Sequence, residues 1–186
     1  GLLQNLQQAF AEINSATKAL ERGVFDQKVE ANYQGDLATL KSGINGSIDN
    51  VKQVMFQLNN TLDTLSEGRF DEQVEISAEG HYRQMLEKTA DVMTQLNGIV
   101  SDINSVMARV NEGDFNGRIE TTAPGDLGVM KQGINTSLEH IADAIVAISD
   151  VVAAQAAGDL TVKLPDGHFK GQLHDLKNAI NYSLNK

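Results

Sequence analysis

Four histidines and a scatter of carboxylates are the residues with catalytic or metal-binding chemistry to offer, because the chain has no cysteine. A histidine and a carboxylate three residues apart on a helix, as at His140 and Asp143, can begin a metal site or a general-base relay, since the carboxylate fixes the imidazole tautomer. Either chemistry needs more: further ligands at metal spacing, or a nucleophile, a base and an orienting group that recur together. His81, His168 and His174 add no second pair, so all four histidines read as solvent-exposed residues. Gly113-Asp114-Phe115-Asn116-Gly117 has the glycine content of a phosphate-binding loop but follows no strand, which removes the geometry that loop requires. The expectation is a chain that is not an enzyme and holds no cofactor and no metal.

Composition narrows the classes further. The net charge is −10 at pH 7, which disfavours nucleic acid and anionic membrane surfaces as partners, because both select a basic patch. Apolar runs such as Ile145 to Ile148 are far shorter than the ~20 residues needed to cross a bilayer, so no membrane insertion by this segment is expected. No signal peptide precedes them, and without cysteine nothing points to an oxidising compartment; the expected location is cytoplasmic. Apolar residues make up 41% and aromatic residues 5%, proportions that suit an aliphatic seam between helices. Leu2, Leu3 and Leu6 at one end and Leu184 at the other fall inside apolar helical patterns. A longer parent chain with flanking domains is therefore expected.

What must position these residues is a repeat. Glycines that end a helical pattern stand at Gly23, Gly68, Gly113 and Gly158, a constant step of 45. Two places on come Phe25, Phe70, Phe115 and Leu160, and four places further Val29, Val74, Ile119 and Leu164. A second glycine opens the next helical run at Gly35, Gly80, Gly125 and Gly171, the last copy carrying one extra residue after Leu164. A fixed period of this kind marks an array in which neighbours complete one another's cores. The expected divisions are 1–47, 48–92, 93–137 and 138–186, with the second helix of the last cut short.

Within each copy the helices carry heptads. Leu3, Leu6, Phe10, Ile13, Ala16 or Thr17, and Leu20 follow steps of three and four, as do Leu37, Leu40, Ile44, Ile48, Val51, Met55, Leu58, Leu62 and Leu65, which predicts a continuous helix from Gly35 to Gly68. Two successive steps of four, through Leu40, Ile44 and Ile48, form a stutter that unwinds a coiled coil locally. The same joint recurs at Met85, Thr89 and Met93 and at Met130, Ile134 and Leu138. Gly43, Gly46, Gly98 and Gly133 lie at or beyond these joints and serve either close helix approach or local softness. Asn45, Asn135 and Asn181 stand beside the seam, where they either fix register or cap and pack locally. Ala90 takes their place in the second copy.

Residues 24 to 34 do not continue the period and read as a connector. Extended, they reach up to ~36 Å, whereas the ~20-residue helix before them is ~30 Å long. The connector can therefore return along its own helix, with Phe25 and Val29 pinning it, and start the next helix from the same end. Two parallel helices of this size cannot bury a heptad seam alone. The expected architecture is all-α: tandem parallel four-helix coiled-coil units formed by a homodimer, with long helices shared between successive units.

This layout of heptad helix, glycine, two spaced apolar connector residues, glycine and heptad helix resembles the HAMP domain, and the whole chain resembles a poly-HAMP array of a chemoreceptor or sensor kinase. The resemblance makes Phe25 and Val29, Phe70 and Val74, Phe115 and Ile119, and Leu160 and Leu164 the connector anchors. Of the family's Asp-Glu-x-Gly start to the second helix, Asp36, Asp126 and Gly128 match. It implies a homodimeric relay of conformational change between a sensor domain and a kinase-control or catalytic domain of the same receptor. The competing expectations are a static helical spacer and an antiparallel helical bundle that binds a ligand.

Overall fold

The computed structural model describes residues 1–167 and 169–184, and so leaves His168 outside the described residues. The heptad stretches form α1 (Leu2–Glu21), α2 (Asp36–Ser66), α3 (Gly80–Asn111), α4 (Gly125–Ala156) and α5 (Gln172–Ser183). The segments between them carry no regular secondary structure, and no strand occurs among the described residues. Every run expected to be uninterrupted is one helix, 31 residues in α2 and 32 in α3 and α4.

The helix ends are set by glycine geometry. Gly23 takes φ +76°, its amide bonds Leu20 O at 2.9 Å, and the amide of Val24 bonds Ala19 O at 2.8 Å. That pair of bonds satisfies carbonyls which the last turn leaves without partners, in the Schellman arrangement. Gly68, Gly113 and Gly158 repeat the positive φ and the paired bonds.

The chain divides into two compact units, Gly1–Thr94 and Gln95–Lys186, with α3 passing from one to the other. In the first unit Ala16, Val29 and Ile48 form a buried cluster with Ile13, Leu20, Phe25, Tyr33 and Ile44 against it. Along the connector, Glu30 and Ala31 meet Glu12 of α1 and Lys41 of α2, while Gln27 meets Ser15 and Asp26 meets Lys52. Positions therefore rise together on both helices as the connector number falls. α1 and α2 run in the same sense and the connector runs against them, as its length allows. In the second unit Ile99, Val106, Ile119 and Leu138 form one buried cluster, and Ala144, Val151, Leu164, Phe169 and Leu184 form another.

Candidate connector and helix-joint site

The eight residues expected to anchor the connectors are not equivalent. Val29, Ile119 and Leu164 are buried, with Ile119 only 1% exposed, while Phe25, Phe70, Val74 and Phe115 are half-buried. Leu160 departs from the expected anchoring: it is 57% exposed and takes no part in the adjacent cluster. Phe169 is buried in that cluster instead. The aromatic volume that Phe25, Phe70 and Phe115 supply at the start of a connector is here supplied near its end, in the copy that carries an extra residue. The aromatic ring in the lengthened segment was the available signal, but it lies outside the 45-residue register.

At the helix joints one gradient recurs three times. Leu40, Met85 and Met130 are exposed at 44%, 36% and 40%, Ile44, Thr89 and Ile134 are half-buried, and Ile48, Met93 and Leu138 are buried. The exposed ends open onto shallow grooves. One of about 590 Å³ is lined by Thr17, Leu20, Thr39, Leu40, Gly43, Ile44 and Ser47. Another of about 420 Å³ is lined by His81, Gln84, Met85, Lys88, Thr89 and Val92, of which all but His81 stand 45 residues beyond a lining residue of the first. Alanine at Gly43, Gly46 or Gly133 would meet nothing within 4 Å, whereas a Cβ at Gly98 would lie 3.1 Å from Thr121 Cγ2. Of these glycines, Gly98 is the one that permits a close approach inside the chain, and it is to a connector.

The connector backbone is held by the three asparagines beside the seam and by charged side chains that the repeat alone did not single out. Asn45 Oδ1 accepts the Val29 amide at 3.0 Å and Asn45 Nδ2 donates to Val29 O at 2.9 Å. Asn135 does the same for Ile119 at 2.9 and 3.0 Å, and Asn181 for Leu164 at 2.8 and 3.0 Å. Of the two roles open to these asparagines, the local one is realised: each takes the place of a missing backbone partner. Glu12 accepts the amides of Glu30 and Ala31, and Asp102 accepts those of Glu120 and Thr121 together with the Thr121 hydroxyl. Lys41 and Lys131 donate to the carbonyls of the same residue pairs. Their recurrence in the first and third copies, 90 residues apart, was the signal that could have found them.

These bonds mark the electrostatics. The Thr121 amide and then its hydroxyl hold the Asp102 carboxyl below the usual carboxylate range against partial burial. Burial pushes the Glu12 carboxyl up, but the bonds from Ala31, Gln8 and Glu30 together outweigh it and leave it lowered. In the fourth copy Lys177 is buried and paired with Asp166, whose carboxyl it lowers. The described histidines are dispersed. His81 faces Gln84 at 3.3 Å, His174 is exposed, and His140 is half-buried where an exposed position was expected.

Among the described residues no helix is long and apolar enough to cross a membrane, and no group of three or more histidine or acidic side chains could hold a metal ion. No curated protein and no solved structure matches the chain. A family model does match, from the middle of α3 through the third connector into α4. The matching model is that of the HAMP domain, and it covers residues 93–143.

Proposed function

We propose that the chain is a run of four HAMP-like copies, at 1–47, 48–92, 93–137 and 138–186, which acts as a parallel homodimer to pass conformational change along its helices. HAMP domains relay signals between the sensor and output domains of bacterial receptors. In this reading the partners are a second copy of the chain and the flanking sensor and output domains, and the segment works in the cytoplasm on kinase control or a catalytic domain, without chemistry of its own.

The observation that carries the reading is the joint gradient. Leu40, Met85 and Met130 are large apolar side chains left 36–44% exposed at matched positions, each followed down the helix by a half-buried and then a buried residue. A second chain laid in parallel covers all three at once and closes the grooves at Leu40 and Met85. The common sense of α1 and α2 supports a parallel over an antiparallel bundle, which leaves the ligand-binding reading without support. A stutter at each joint gives two packings separated by a few kcal/mol, the condition for a switch rather than a spacer.

The test is single cysteines at Leu40, Met85 and Met130. A parallel dimer brings each residue opposite itself, so oxidation links the chains at all three, because a disulfide requires Cα atoms within about 7 Å. A chain that sediments as a monomer and forms no links refutes the dimer. For the relay, Met85→Lys in the parent receptor should lock its output in one state, whereas an unchanged response leaves only a spacer.

A further inference from the structure

We propose that the carboxylate, lysine and asparagine around the first and third connectors form a latch, and that the second connector, which lacks all three, is the arm that moves when the bundle repacks. The inference rests on the relay reading and names the place where the relay yields. Its basis is a complete set of bonds around three irregular residues. The amides of residues 29, 30 and 31 go to Asn45, Glu12 and Glu12, and the carbonyls of the same residues go to Asn45, Lys41 and Lys41. Residues 119, 120 and 121 repeat this with Asn135 and Asp102 on the amides and Asn135 and Lys131 on the carbonyls.

Each latch ties two helices through one connector. The carboxylate comes from the helix before the connector and the lysine and asparagine from the helix after it, so the two peptide groups lie between opposite charges. Bonds to charged groups are directional and stronger than neutral ones. Sliding or rotation of one helix past the other must break several of them together.

The corresponding positions of the second copy are Gln57, Leu86 and Ala90. Leu86 is fully buried, and among the described residues no side chain bonds the backbone of residues 74 to 76. That connector keeps the half-buried Phe70, Val74 and Ala78 and, among the described residues, two side-chain pairs with α2, Gln53 with Ser77 and Gln57 with Glu75. Apolar contact is non-directional and survives a shift that a latch resists. The fourth copy is intermediate: Asn181 holds Leu164, but Lys177 faces the Asp166 side chain and Ala147 replaces the carboxylate.

Amide hydrogen exchange on the full chain reads the latch directly, without reference to receptor output or to chain crosslinking. Amides 29–31 and 119–121 should exchange at least about tenfold more slowly than amides 74–76, because local opening must break the bonds that hold them. Equal rates in the three connectors overturn the proposal. Asp102→Asn should raise exchange at 120 and 121 at least about fivefold while 119, held by Asn135, and 29–31 keep their protection. No change at 120 and 121, or a rise that extends to 29–31, also overturns it. The reciprocal variant, Gln57→Glu with Ala90→Asn and Leu86 left in place, should slow exchange at 74–76 by several-fold. An unaltered rate there refutes the assignment of these positions.

Discussion

Replacing Ile119 and Leu160 by alanine, one at a time, separates an anchor that holds a connector from one that only occupies the repeat position. The Ile119 side chain is 1% exposed and packs with Ile99, Val106 and Leu138. Truncation removes its buried carbons and leaves a cavity that three well-placed neighbours cannot fill, a loss of about 3 kcal/mol within the usual range of ~2–5. For a unit of this size each kcal/mol lowers the melting temperature by ~4–8 °C, so Ile119→Ala should melt about 12–24 °C lower. Leu160 is 57% exposed, and its truncation should cost no more than ~0.5 kcal/mol. Thermal melts followed by circular dichroism measure both, and Ile119→Val, which keeps most of the volume, should fall between them at about 1 kcal/mol. Equal losses for Ile119→Ala and Leu160→Ala refute the reasoning, since burial then does not decide which anchor holds.

Asn135→Ala removes the acceptor for the Ile119 amide and the donor to its carbonyl; two net hydrogen bonds should cost about 1–3 kcal/mol in chemical denaturation. Gly113→Ala and Gly133→Ala should move stability in opposite directions, although neither Cβ meets an atom within 4 Å. At φ +82° alanine pays the left-handed backbone penalty of roughly 1–2 kcal/mol, while in the interior of α4 it gains up to ~1 kcal/mol of helix propensity. Were the chain dimeric as proposed, a loss at Gly133 would place that glycine against the second chain. Acidification should loosen the third connector. Because the Asp102 carboxyl is held below its ordinary value of 3.8, its contribution is complete above that value and is lost as pH falls through the lowered one. Melting temperatures should therefore drop over that acid window, with a shallower slope in Asp102→Asn.

The parts legible in the sequence are those that recur in every copy, and the parts missed recur in some. Gly23, Gly68, Gly113 and Gly158 end helices because a left-handed residue closes the last turn wherever a helix must stop, so the same residue type appears each time. The heptads are visible for the same reason: apolar residues return at matched seam positions along α2, α3 and α4. A connector has no such requirement. Its backbone lacks the partners of a helix or sheet, and any side chain of suitable length and polarity on a flanking helix can supply them. Glu12 and Asp102 differ in length, and their partners differ with them, Ala31 in one copy and Thr121 in the other. On a helix they resemble every other surface carboxylate, and only their return after 90 residues sets them apart. Leu160 marks the opposite case, a position that keeps the period after the packing has passed to Phe169. Periodicity thus reports the constraint of helix on helix, whereas the hold on the connectors is set copy by copy. The same freedom allows neighbouring copies, built to one helical plan, to differ in how readily they yield.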